Sequence, residues 1–134
     1  MLRIVIGLVL LAHGIGHSMG LLQLFKVATV NPQWQGDSWL LTGVVGATAT
    51  QAIGVSLWML AIVGFGALGA VVFGWLPETL WPPLAIVSAA TSLVGLFFFP
   101  IAFPLFSTLG ALLVDVAVLA AVLWFHWAPS DLAV

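Results

Sequence analysis

Three ionisable side chains stand inside otherwise apolar stretches: His13, His17 and Asp115. His13 and His17 are four residues apart, so a helix presents both on one face. An imidazole can carry a proton, ligate a metal or hydrogen-bond a polar head group. A carboxylate beside it can orient the ring or share its charge. Ser88, Thr91 and Ser92 add hydroxyls in a third apolar stretch. Polar groups are costly in such surroundings, so each one needs a partner or a purpose.

Composition defines those surroundings. Of 134 residues, 63% are hydrophobic and 4% are charged, against about 25% charged in soluble domains. Two basic and four acidic residues cannot wet the surface of a 14.1 kDa globule. A soluble monomer is thereby excluded, as are a disordered chain and a nucleic-acid binder, which needs a basic patch. The absence of cysteine removes disulfides, thiolate metal sites and cysteine nucleophiles. The expectation is an all-α integral membrane protein in the bacterial inner (cytoplasmic) membrane, with lipid as its first partner.

A helix needs about 20 apolar residues to cross the hydrocarbon. The first run, about 4–26, lies between Arg3 and Lys26. It resembles a signal peptide in position, but its length, its histidines and the lack of a small-residue cleavage pattern favour a retained helix. The polar stretch 29–38 reads as a loop, and Asp37 or Ser38 can cap a following helix. Residues 39–76 carry no formal charge, yet one straight helix of that length would reach about 57 Å, nearly twice the hydrocarbon thickness. Two registers fit: a span near 39–63, or a span at 51–75 with 39–50 interfacial or re-entrant. The second is preferred. It sets Trp75 and Trp81 at an interface around Pro77 and Glu78, and residues 42–50 are rich in Gly and Thr, weak helix formers. The third span, 82–99, opens on Pro82 and Pro83 in its first turn. The fourth is 105–127. The fold class is thus a bundle of four transmembrane helices in one domain.

Four spans put both termini on one side. Arg3, Glu78 and Asp131 share that side; Lys26 and Asp37 face the other. One basic residue per side sets no strong orientation, and the amino terminus favours termini in the cytoplasm. Stripes of small residues, Ala12-Gly16-Gly20 and Gly66-Ala70-Gly74, are expected to let helices approach closely or to mediate self-association. Trp58 and Phe97, Phe98, Phe99, Phe103 and Phe106 read mainly as packing or lipid-facing residues. Trp34 and Trp39 mark the face opposite the terminal tryptophans. Gln51 reads as a residue at the mouth of its helix.

At 1.5 Å per residue, His13 lies about 14 Å deep, His17 about 20 Å and Asp115 about 18 Å; Ser88, Thr91 and Ser92 lie at about 10–17 Å. All sit near the midplane. A lone charge there is forbidden by its cost, so Asp115 is expected to contact His13 or His17. Several roles fit such a group. It can be a structural network that holds helix register, or a ligand site formed by His13, His17, Asp115, Ser88, Thr91 and Ser92. Two histidines and a carboxylate also resemble a ligand set for non-haem iron or zinc. Haem with both axial histidines from this chain is disfavoured, because His126 lies near the membrane edge, far from the other two; a haem shared with a partner chain is the remaining form of that reading. No phosphate loop, nucleophile elbow or polybasic segment is present.

The segment Leu2-Arg3-Ile4, continuing through Leu11-Ala12-His13-Gly14-Ile15-Gly16-His17-Ser18-Met19-Gly20, resembles the opening of DoxX-like small bacterial membrane proteins. That family has four helices, an early Arg and a Gly-containing first span. Some members are quinone-linked redox subunits, so the resemblance implies an apolar pocket for a quinone. The His13/His17 pair and the long second run depart from the pattern.

The expected function is to bind a lipid, quinone or isoprenoid, or to serve as an accessory subunit of a larger membrane complex or homo-oligomer. The alternatives are a membrane-embedded isomerase or oxidoreductase using His13, His17 and Asp115, and a proton-linked transporter.

Overall fold

The first apolar run folds as α1 (Leu2–Gly16) and α2 (Ser18–Leu24), which together form one span. The computed structural model describes residues 1–132. At the junction, His17 keeps right-handed helical angles, but its N–H bonds to the Gly14 carbonyl three residues back, at 3.2 Å. Tightened turns inside helices often mark functional positions. The span stops before Lys26, whose φ of 58° ends the helix, while the Val27 N–H closes on the Leu22 carbonyl at 2.8 Å.

The second run departs from the expected register. A short helix α3 (Leu41–Val45) is followed by α4 (Ala47–Phe73), which starts before the expected residue 51. Gly46 makes the break with φ 83°, a backbone that L side chains rarely adopt. Thr50 is fully buried, and its hydroxyl donates to the Gly46 carbonyl at 2.8 Å. Burial and that bond outweigh the few tenths of a kcal/mol of weak helix propensity that suggested a non-helical segment. Only 39–46 stays outside the long helix. Gly74 then ends α4 in the left-handed region, φ 79°, the usual glycine stop.

A 3₁₀ turn, Glu78–Leu80, leads into α5 (Trp81–Phe98), with both prolines in its first turn as expected. The last long helix, α6 (Leu105–Leu123), ends short of residue 127. His126 turns to φ 49° there, and the N–H groups of Phe125 and Trp127 close on the Ala120 and Ala121 carbonyls at 3.0 and 2.8 Å. The described residues are thus all-helical, with four spans: Leu2–Leu24, Ala47–Phe73, Glu78–Phe98 and Leu105–Leu123.

α4 is the central element. α1 packs along one side of it and α5 along another, α6 lies on α5, and α1 and α6 meet only sparsely. The bundle is therefore open along a seam between its first and last spans. The α1–α4 contact runs through glycines, of which Gly20 lies on an expected stripe and Gly7 and Gly14 do not. A Cβ on Gly7 would press on the Phe73 ring, one on Gly14 on Phe65, and one on Gly20 on the Trp58 ring. Ala12 is exposed, and a Cβ on Gly16 or Gly66 would meet nothing within 4 Å. Large partners decide this: Phe65, Trp58 and Phe73 need a side-chain-free surface, so the close approach occurs where they project.

Two apolar cores stack along the bundle. One gathers Leu10, Phe65, Leu68, Val72, Trp81, Ala89 and Val118. The other gathers Trp34, Trp58, Leu96, Phe99 and Phe103. Trp34, Phe99 and Phe103 thus differ from the interfacial or lipid-facing role expected of them: Trp34 is 1% exposed and Phe103 6%. Phe97 and Phe106 do face outward. The connection after α2 folds back over this end, organised by Gln23. Its amide donates to the Asn31 and Trp34 carbonyls at 2.5 and 2.7 Å and accepts from the Val30 and Asn31 N–H groups at 2.9 and 2.6 Å. Ser38 accepts from the Leu41 N–H at 3.2 Å at the start of α3 and donates to the Phe98 carbonyl at 2.6 Å.

The terminal end is tied separately. The Arg3 guanidinium donates to the Val72 carbonyl. The Trp81 indole donates to the Trp127 carbonyl at 2.9 Å, and the Ser130 hydroxyl to Glu78 at 2.6 Å.

Candidate functional site

Between the two apolar cores lies a polar cluster drawn from three spans. His13 is the central residue of Leu2–Leu24, and Asp115 lies one residue past the centre of Leu105–Leu123. On α6, Asp115 shares an inward stripe with Val118 and Val122, at the helical spacing of three and seven. On α5, Ser88 and Ser92 share the buried stripe with Ala85, Ala89 and Leu96.

Asp115 is fully buried. Its Oδ1 lies 2.9 Å from His13 Nε2, and its Oδ2 accepts from the Ser92 hydroxyl at 2.6 Å. The Ser92 oxygen is in turn 3.0 Å from His17 Nε2. The order is therefore His13, Asp115, Ser92, His17, with both histidines at the ends. The rings are brought back together by the helix: their centroids are 5.0 Å apart and nearly perpendicular. Phe65 packs edge-on against His13 at 4.3 Å, and Phe103 lies 6.1 Å from His17. Aromatic walls of this kind hold an imidazole in one orientation.

Of the six residues expected in a ligand site, four form this chain. Ser88 is buried but packs against Gly64, and its hydroxyl has no partner. Thr91 is half-buried and is not bonded to the cluster. Ser92 and Ser88 are one turn apart, and only the former points at the carboxylate. The metal reading of His13, His17 and Asp115 meets a geometric obstacle. His13 Nε2 and Asp115 are bonded to each other, His17 Nε2 is bonded to Ser92, and no group of three His, Asp or Glu among the described residues is placed to hold an ion.

The cluster borders a hollow of about 190 Å³ in the α1–α6 seam, lined by His13, His17, Gly16, Met19, Phe103 and Ser107 among others. Asp115 stands behind His13 and does not line it. Further along the same seam lies a second hollow of about 300 Å³, walled by Val5, Val9, Val114, Val118 and Ala121 among others. Ser107 and Met19 are lining residues that the sequence does not single out, because a serine in the first turn of a helix and an apolar residue carry no signal of their own. The Nδ1 of His17 is buried and has no protein partner. A buried polar atom without a partner is rare and costly.

Compared with known proteins, the chain matches no family model, no curated protein and no solved structure.

Proposed function

We propose that the protein binds a single-chain, lipid-soluble molecule in the α1–α6 seam, with the head group at the histidines. The ligand class is a lipid, quinone or isoprenoid. One observation carries this reading: a nearly buried His17, with a partnerless Nδ1, lines a hollow halfway across the bundle that is followed by an apolar groove. A structural network has no need of a cavity beside it, and satisfies its own atoms.

Gly16 supplies the test. It lines the hollow, and a Cβ there meets no atom within 4 Å. Leucine at this position fills the hollow without disturbing the α1–α4 contact. Photolabelling with a diazirine-bearing isoprenoid should mark peptides from 12–19 and 103–111. In Gly16→Leu the labelling should disappear at unchanged melting temperature. Equal labelling of wild type and variant rejects the site.

The resemblance to DoxX-like proteins supports a bacterial cytoplasmic membrane, and the charged amino terminus, rather than the balanced Arg3 and Lys26, supports cytoplasmic termini. It also supports assembly as a subunit of a larger membrane complex. A second reading, a membrane-embedded isomerase or oxidoreductase, is favoured by the His13–Asp115 contact, because a carboxylate-oriented imidazole is the usual general base. Turnover of a lipid-soluble substrate that persists in the His13→Ala, His17→Ala double variant rejects it.

A further inference from the structure

Arginine and lysine occur once each in this chain, as Arg3 and Lys26. Arg3 is engaged at the terminal end, where its guanidinium donates to the Val72 carbonyl. Lys26 stands two residues past the far end of the first span, and among the described residues no carboxylate pairs with it. Its backbone is left-handed, φ 58°, at the end of a helix where glycine is the usual residue. A side chain held there is strained. The helix end does not require the charge. The carbonyls of Leu21, Leu22 and Gln23 already accept the N–H groups of Phe25, Lys26, Val27 and Ala28 at 2.8–3.2 Å. Strain at a residue without such a structural demand points to a role in binding.

Lys26 lines a cavity of about 680 Å³, larger than either hollow of the seam. The connection after α2 forms one wall and α4 the other. Gln23 shapes the first wall, but its amide is used up in four backbone bonds. Gln51 contributes from α4. Its amide rests against Gly36, where a Cβ would come within 3.0 Å of it and φ is 87°. Glycine there leaves the amide its place. Gln51 lies four residues inside α4, which begins at Ala47, a depth of roughly 6 Å. The cavity thus extends from just outside the ends of the spans to just inside them, the level of lipid head groups. Among the described residues, Lys26 is the only charged side chain in its walls. The Asp37 carboxylate is not among them, and accepts the Gln35 N–H at 3.4 Å. Leu24, Val27 and Ala28 add apolar surface.

We infer that this cavity is a second binding site, for the phosphate of a net-anionic head group held by Lys26 with the Gln51 amide as a hydrogen-bond donor. One cation and neutral amides suit a phosphate, and the apolar side of the cavity suits the chain attached to it. A zwitterionic head group fits less well, because no carboxylate in the walls receives its ammonium. An anionic phospholipid and a free phosphate ester share this chemistry. The inference does not depend on what occupies the α1–α6 seam.

The test is native mass spectrometry of the full-length protein, released from micelles holding equal amounts of phosphatidylglycerol and phosphatidylcholine. Phosphatidylglycerol should be retained about fivefold more than phosphatidylcholine, the worth of one lysine beside an anionic head group. Lys26→Gly removes the charge and suits the left-handed backbone, so it should abolish the preference at an unchanged or raised melting temperature. Ala28→Trp keeps the charge and fills the cavity from an exposed position on its wall; it too should abolish the preference. Gly16→Leu, in the seam, should leave it intact. Displacement of the lipid by millimolar glycerol phosphate assigns the site to a soluble ester, and persistence of the lipid assigns it to the bilayer. Equal retention of the two lipids by wild type overturns the inference. So does a preference lost in Lys26→Gly but kept in Ala28→Trp, which shows surface attraction without a site. Should Lys26→Gly fail to fold, the wild-type ratio and Ala28→Trp decide.

Discussion

His13 Nε2 lies 2.9 Å from Asp115 Oδ1, although 102 positions separate the two residues in the chain. This contact closes the bundle between its first and last spans, which otherwise meet sparsely. Its energetic weight follows from burial: Asp115 is fully enclosed and the His13 side chain is 7% exposed. Removing one partner leaves the other's polar atoms without a match in a medium that cannot hydrogen-bond them.

Asp115→Ala should therefore be strongly destabilising, by about 3 kcal/mol, since it strips the acceptor from both His13 and Ser92. A double-mutant cycle of His13→Ala with Asp115→Ala, read by unfolding in bicelles, should return a coupling energy of about 1 kcal/mol or more. Coupling indistinguishable from zero would show that the two side chains do not rely on each other.

The two buried serines of α5 should behave oppositely. Ser92→Ala removes a hydroxyl that bridges Asp115 and His17, and should cost about 1–2 kcal/mol. Ser88→Ala removes a buried hydroxyl with no partner and should be neutral or stabilising by up to about 1 kcal/mol. Unfolding midpoints of the two variants side by side make the comparison, and equal losses would contradict the hydrogen-bond assignment.

Glycines of the first span should divide by what they face. A side chain on Gly20 meets the Trp58 ring at 2.9 Å, so Gly20→Val should destabilise by about 1–3 kcal/mol through overpacking. Gly16→Val, beside open space, should leave stability within about 0.5 kcal/mol. Thermal unfolding in detergent reads both, and a reversed order would place the α1–α4 contact on the wrong face.

Gln23 should prove the organiser of the connection after α2. Gln23→Ala deletes four bonds to that backbone. Hydrogen exchange at Val30, Asn31 and Trp34 should accelerate at least about tenfold, while the amides of α4 and α5 keep their protection. Unchanged exchange at Val30 and Asn31 would mean that the segment is held by its apolar contacts alone, chiefly Trp34 against Trp58 and Phe99.

Several of these relationships were legible beforehand. The spacing of His13 and His17, the depth of Asp115 and the hydroxyls of the third span already implied a shared polar layer, because the cost of an unmatched charge leaves few partners to choose from. Thr91 and Ser88 show where that reasoning stops. Depth along a helix follows from counting, but direction around its axis depends on a neighbour, and only Ser92 of the three faces the carboxylate. The second span starts earlier than expected for a related reason: Thr48 and Thr50 weaken a helix in isolation, whereas burial of Thr50 and its bond to Gly46 strengthen this one.

Composition and hydropathy by themselves determined the medium, the number of spans and the class of fold, since both are sums over local residues and need no partner. Pro82 and Pro83 likewise marked the start of a helix through a backbone constraint that acts within one turn. Which glycines accept aromatic rings, why Trp34 and Phe103 are enclosed, and which nitrogen of His17 lacks a partner were decided only by tertiary structure. Each depends on how helices rotate against one another, and that rotation is the joint outcome of every contact along their length.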